Sequence, residues 1–268
     1  MDIGTAKPSA AERARVPHHL FDLVTPEERF DAARYRDLAR SMIVEIASRG
    51  RLAVVVGGTG LYLRALARGL FAGPRALPRL RSVLAGLEAL RPGTLHRWCR
   101  RLDPDAAARI HARDILRLIR SLEVAFQTGT AMSAFQQQHG FADRFGEALM
   151  FVVDPGTAEL KRRIRQRSRE SFERGLLDEV RSLWAMGFGP DLPVMRSIGY
   201  LEAGRVLRGE RSLAEATEDL VRSTERFAKR QRTWFRTERD AIWLHPESGR
   251  RQIFGAMRRF LGRTEPTL

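Results

Sequence analysis

At 268 residues, 43% hydrophobic and 29% charged, the chain is long enough to bury a sizeable core, and its composition excludes the disordered and fibrous classes. Lys and Arg number 47 against 32 acidic residues, and the net charge of +15 suits a polyanionic partner, nucleic acid first, because each neutralised phosphate releases counterions. The same excess also fits a compositional bias, since nearly all the cations are arginine and the only lysines are Lys7, Lys161 and Lys229.

The first long helical pattern covers residues 30–49 and stops at Gly50, a C′ glycine, from which the chain runs directly into a β-branched apolar run at residues 52–56. That run, with those at residues 149–153 and 241–244, predicts buried parallel strands, and the helix-then-strand step is that of doubly wound folds. From residue 65 to residue 148 no strand pattern appears. Asp103-Pro104 and Asp114 are helix-start signals there and Gly129 is a stop, so an all-helical insertion at 65–148 is expected within an α/β core made of residues 1–64 and 149–268. Helices follow over residues 157–174 and 176–186, and a longer one over 212–236. Cys99 is the single cysteine, no apolar run reaches membrane-spanning length, and the N-terminus lacks the apolar core of a signal peptide. These features point to a soluble, cytoplasmic protein with no membrane partner.

Among the motifs, Gly57-Gly58-Thr59-Gly60-Leu61-Tyr62 follows an apolar run and opens a helix. Glycines let a phosphate approach the backbone, and the N–H groups of a first helical turn attract anions. A tight turn with no ligand is the plainer reading of so short a pattern. The Walker pattern GxxxxGK[ST] is absent, because none of the lysines follows a glycine. Arg113, Arg117 and Arg120 recur at i, i+4 and i+7 opposite the apolar face of the helix that starts at Asp114, either as a phosphate-facing stripe or as a solvated face. Arg222, Arg226, Lys229 and Arg230 form a similar stripe on the last long helix, ahead of Trp234-Phe235, which reads as a hydrophobic anchor. Arg196, in a loop with Pro193, fits both a substrate clamp and one more surface cation. The pair His18-His19 has no acid or cysteine at ligand spacing, so structural histidines are expected and no metal site.

The run from Met1 to Pro8 (MDIGTAKP), Pro17-His18-His19-Leu20, the Gly57 to Tyr62 motif, Arg117-Leu118-Ile119-Arg120-Ser121-Leu122-Glu123, Ser197-Ile198-Gly199-Tyr200 and Ala228-Lys229-Arg230-Gln231-Arg232-Thr233-Trp234 together resemble the tRNA dimethylallyltransferase family, in order and spacing along essentially the whole chain. The resemblance implies a P-loop-type parallel α/β core with an inserted helical domain. It also implies transfer of a dimethylallyl group from dimethylallyl diphosphate to N6 of adenosine 37 in tRNA, with Mg²⁺. It assigns Thr59 and Arg196 to catalysis at the leaving diphosphate, with Gly57 and Gly58 in the loop beside it. Arg81, the segment Leu116, Arg117, Leu118, Ile119 and Arg120, and the segment Arg226, Phe227, Ala228, Lys229, Arg230 and Gln231 are assigned to the tRNA anticodon stem-loop. A monomer is expected. An adenine amino group is a poor nucleophile, so the reaction needs a base as well as help for the leaving group, and the adenosine must leave its stack.

This sequence departs from the family at several places. The GPTxxGKT-like loop and the DSxQVYR-like segment with its general-base aspartate, which the family carries before the MDIGTAKP-like motif, are not among these residues. Glu225 stands where the family has an arginine, with Arg226 next to it, and Ala112-Arg113 replaces a Pro-Asn. The expectation is therefore that Met1 is an internal methionine taken as a start or that the sequence is a fragment, that these residues alone are impaired in catalysis, and that the core lacks its first strands, leaving residues 52–56 an exposed apolar edge. The alternative reading is a non-catalytic basic RNA-binding module derived from that family. A small-molecule P-loop kinase fits Thr59 and the late Ala-Lys-Arg-Gln helix less well.

Overall fold

The computed structural model describes residues 1–140 and 142–264. The chain divides into two compact units, residues 1–63 with 147–268, and residues 64–146. In the first, α1 (Ala10–Arg15) begins with a reciprocal capping box between Ser9 and Glu12. Helix α2 (Ala32–Ser48) starts at Asp31, whose carboxylate accepts from the Ala33 and Arg34 amides. It ends where Gly50 turns left-handed at φ +64°, a conformation glycine adopts without steric cost. Helix α3 (Gly60–Arg68) follows after an irregular stretch.

The second unit contains α4 (Pro78–Leu90), α5 (Thr94–Leu102), α6 (Pro104–Arg109), α7 (Ile115–Thr128) and α8 (Met132–His139), with no strand among its described residues. Helix α7 carries Leu118, Ile119 and Leu122 into a core shared with Leu84, Leu95, Cys99, Ala106, Ala107 and Ile110. Asp103 is wholly buried yet satisfied: it caps α6 through the Ala106 amide and accepts from the Ser121 hydroxyl at 3.1 Å and the Ser133 amide at 3.0 Å. One side chain thereby ties α6, α7 and α8 together. Burial alone would raise its pKa, but these hydrogen bonds hold it below the ordinary carboxylate value. Burial pushes the Cys99 thiol up, which leaves it a core residue rather than a reactive one.

The first unit resumes with β1 (Phe151–Val153), α9 (Thr157–Glu173), α10 (Leu176–Ala185), a 3₁₀ turn at Pro193–Arg196, α11 (Tyr200–Leu207), α12 (Leu213–Phe235), β2 (Ile242–Leu244) and α13 (Gly249–Thr264). Strands β1 and β2 pair in parallel, with Phe151 opposite Ile242 and Val153 opposite Leu244, which makes the fold α/β. Helices α9 and α11 pack against α12. Leu176, Val180, Met195, Tyr200 and Ala203 form the core of α10 and α11. No helix among the described residues is long and apolar enough to cross a membrane.

One expected strand is not formed. Residues 52–56 make no backbone hydrogen bond among the described residues, and Val54 and Val56 are 75% and 90% exposed. The described sheet is two-stranded, so this run has no neighbour to complete a ladder, and its apolar side chains face solvent instead of the layers its composition calls for. Such an exposed apolar run invites self-association. Replacing Val54 and Val56 together by lysine should therefore lower concentration-dependent aggregation in light scattering while changing stability by less than about 0.5 kcal/mol.

Candidate functional site

The Gly57 to Tyr62 turn is built onto α3 and α12. The Thr59 carbonyl accepts from the Tyr62 amide at 2.9 Å and the Leu63 amide at 3.2 Å, so Thr59 occupies the N-cap position of α3 with its side chain exposed. Tyr62 donates its hydroxyl to the Phe30 carbonyl at 3.1 Å and stacks on Tyr35 at 5.0 Å, which fixes the first turn of α3 beside α2. On the other side, Gln231 of α12 donates from Nε2 to the Gly58 carbonyl at 3.0 Å. The glycines have a packing reason that the sequence did not disclose. A β-carbon on Gly58 would lie 2.0 Å from Gln231 Nε2, and one on Gly60 would lie 2.1 Å from the Trp234 ring, whereas one on Gly57 would meet nothing within 4 Å.

The N-terminal motif is held by Glu179 of α10. Its carboxylate accepts from the Asp2 amide, from the Ile3 amide at 3.2 Å, from the Gly4 amide at 3.1 Å and from the Tyr200 hydroxyl at 3.0 Å. Gly4 lies against the Tyr200 ring, where a β-carbon would come within 2.4 Å. Burial pushes the Tyr200 phenol up, and the neighbouring Glu179 charge adds to the shift. Lys7 bridges Asp2 and Asp22, and these two carboxylates outweigh desolvation and raise its pKa, so this lysine closes an ion cluster within the motif. Arg196 lies just before α11 in the 3₁₀ turn and is exposed. Among the described residues no hydrogen bond joins it to Thr59.

The predicted basic stripe of α12 is real but divided in its contacts. Arg222 is paired with Asp219 and Arg226 donates to Ser223 Oγ at 3.1 Å, while Arg232, outside that stripe, is tied to Asp154 at 2.9 Å and Thr157 at 2.7 Å. Lys229 and Arg230 are exposed, and the Arg230 guanidinium sits 5.7 Å from the exposed Phe227 ring, leaving a flat cationic and aromatic surface. Ala228 is half-buried. Gln231 turns away from this surface toward the Gly58 carbonyl, and Trp234 packs on Gly60, which is the anchoring role expected for it.

In the helical unit, Leu116 is exposed, and Arg117 is exposed and paired with the helix cap Asp114 at 3.4 Å. Leu118 and Ile119 of the same segment are buried in the core, which leaves Leu116, Arg117 and the partly exposed Arg120 on its accessible side. Arg81 and Arg120 both converge on Glu123, a buried carboxylate that sequence reasoning passed over. The available signal was an acidic residue on the apolar face of a helix three residues after an arginine. His18 contacts the Val16 carbonyl through Nδ1 at 2.7 Å, a local structural role. No group of three or more His, Cys, Asp or Glu side chains able to hold a metal occurs among the described residues.

The IPP transferase family model matches residues 1–238. The chain is 46% identical over 264 residues to tRNA dimethylallyltransferase 1 of Citrifermentans bemidjiense, covering 97% of this chain and 84% of that protein. It is 48% identical over 250 residues to tRNA dimethylallyltransferase of Myxococcus xanthus, covering 91% and 80%. Among solved structures, the tRNA isopentenylpyrophosphate transferase of Bacillus halodurans superposes with a TM-score of 0.66 at 35% identity, over 98% of this chain and 83% of that one. A eukaryotic dimethylallyltransferase acting on tRNA superposes with a TM-score of 0.78 at 25% identity, over 99% and 71%. With its motifs in order, its α/β fold and a family match spanning most of its length, the chain belongs to the IPP transferase family, the prenyltransferase enzymes known as tRNA dimethylallyltransferases.

Proposed function

We propose that this protein moves a dimethylallyl group from dimethylallyl diphosphate to N6 of adenosine 37 in tRNA, acting as a cytoplasmic monomer. The observation that carries this reading is the bond from Gln231 to the Gly58 carbonyl, which fastens the basic helix α12 to the turn bearing Thr59. An RNA-facing surface and a helix N-terminus suited to an anion thus belong to one unit. In this reading Thr59 donates its hydroxyl, and Arg196 its guanidinium, to the diphosphate oxygen at the breaking bond. Phosphates of the anticodon stem-loop lie against Lys229, Arg230, Arg226, Arg117, Arg120 and Arg81, and Phe227 offers a stacking face.

Residues 1–268 contain no GxxxxGK[ST] loop, and no group of three or more His, Cys, Asp or Glu side chains able to hold a metal occurs among the described residues, so the residues present do not by themselves make a Mg²⁺ site and no step is assigned through the ion. We expect these residues, without such a loop, to be impaired in transfer. Thermal shift of the 268-residue chain with dimethylallyl diphosphate should show no Mg²⁺-dependent stabilisation; a saturable shift would overturn that expectation. Transfer of labelled dimethylallyl to unmodified tRNA by a chain that includes the loop tests the activity itself. Thr59→Ala and Arg196→Ala should each lower kcat by about 10²-fold or more, as the loss of a leaving-group donor does. The second reading, an RNA-binding module without catalysis, applies only if these 268 residues are the chain that is made, and would be supported by tight tRNA binding with no transfer.

A further inference from the structure

We infer that Glu123 is a positioning residue for tRNA binding, whose buried carboxylate sets Arg81 and Arg120 side by side as a two-guanidinium receptor for an RNA phosphate. This rests on the reading above that Arg81 and Arg120 face the tRNA. The geometry is specific. Glu123 Oε1 accepts from the Leu77 amide at 2.7 Å and from Arg81 Nε at 2.8 Å, while Oε2 accepts from Arg81 Nη2 at 2.7 Å and from Arg120 Nη1 at 2.7 Å. Arg120 Nη1 also donates to the Pro74 carbonyl at 3.1 Å. Two arginines from α4 and α7, and the backbone leading into α4, are thereby fixed by a single side chain.

Three features distinguish this cluster from a closed structural ion pair. The first is charge, since one carboxylate faces two guanidiniums and one positive charge is left over. The second is the gradient of exposure: the Glu123 side chain is 0% exposed, but those of Arg81 and Arg120 are 40% and 31% exposed, so the anion is inside and the cations reach the surface. The third is unused capacity. Among the described residues Arg81 Nη1 and Arg120 Nη2 have no acceptor, and Arg120 Nη2 packs closely against Gly73, where an added β-carbon would come within 2.9 Å of it. The Nε and Nη2 edge of Arg81 is locked in a bidentate pair and Arg120 is held at Nη1 by two acceptors, so their remaining N–H groups can meet a phosphate with little rotamer freedom left to lose.

The test is affinity of the 268-residue chain for an unmodified anticodon stem-loop, measured by fluorescence anisotropy over a salt series. Arg81→Gln and Arg120→Gln should each weaken binding about fivefold to tenfold and flatten the salt dependence by roughly one phosphate contact. If neither does, the reading of these arginines as tRNA contacts fails. Glu123→Gln makes the protein more positive by one charge, so on net charge alone it should tighten binding. With Glu123 as a positioning residue, binding should instead weaken about threefold or more, with no further loss when the change is added to Arg81→Gln/Arg120→Gln. Asp105→Asn adds the same charge in the same unit without touching the arginines and should leave binding unchanged or tighter. Tighter binding by Glu123→Gln, with both arginine variants impaired, would overturn the inference and leave the tRNA reading standing. Should circular dichroism show Glu123→Gln unfolded, Arg81→Lys decides. It keeps the charge but loses the fork, and wild-type affinity in that variant would overturn the inference.

Discussion

Replacing Glu123 by alanine should destabilise the protein by about 3–5 kcal/mol, because it leaves two partly buried guanidiniums and the Leu77 amide without their acceptor. The carboxylate is costly to bury and would by burial alone titrate above its ordinary value. Hydrogen bonds from Arg81, Arg120 and the Leu77 amide reverse this and hold its pKa at about 2 against an ordinary 4.5. The sign for pH follows. A folded-state pKa below the unfolded one contributes stability that is fully present above about 4.5 and is lost as pH falls through about 2. The contribution is on the order of 3 kcal/mol. Urea unfolding of wild type and Glu123→Gln between pH 6 and pH 2.5 checks this. The difference between the two should shrink as the pH falls, and a constant difference would show that Glu123 is not held ionised by its arginines.

The next largest effect is expected at Gly60. A β-carbon there would overlap the Trp234 ring at 2.1–2.3 Å, and an indole packed against a helix start has no small torsion that clears it. Gly60→Ala should therefore cost about 1–3 kcal/mol, despite the better intrinsic helix propensity of alanine. The neighbouring glycines provide an internal scale. Gly58→Ala meets only the amide end of Gln231, which can swing away at the cost of one hydrogen bond, so about 1 kcal/mol is expected; Gly57→Ala meets nothing and should be neutral. Thermal unfolding of the three variants should rank Gly60, Gly58, Gly57. Adding Trp234→Leu to Gly60→Ala should recover part of the loss, whereas additive losses would place the collision elsewhere. The same overlap moves the Thr59 turn, so transfer activity in a chain with the phosphate loop should fall further than stability alone explains.

Both effects depend on contacts that do not follow from local sequence, and this marks where reading residues succeeds. Helix starts at Asp103, Asp114 and Ser212, the stops at Gly50 and Gly129, and the parallel pairing of the late apolar runs are legible in the chain. A cap or a hydrophobic period acts within a few residues, and any sequence that carries it displays it. Residues 52–56 carry the pattern of a buried strand, but a strand also needs a neighbour, and none pairs with it here. The exposure of its apolar side chains follows from that.

Composition, caps and motif order by themselves determined the family, the α/β class, the strandless middle of the chain and the basic faces of α7 and α12. Only the tertiary structure decided what the individual side chains do. Gln231 reaches Gly58 across 173 positions, Glu179 gathers the Ile3 amide across 176, and Glu123 takes the Leu77 amide across 46. These pairings decide that Gln231 supports the Thr59 turn, that Glu179 holds the N-terminal motif, and that Glu123 fastens the entry to α4. Local rules set which residues are helical, but the partner of a long polar side chain is whichever group the packed core brings within about 3 Å, and no spacing in the chain encodes that distance.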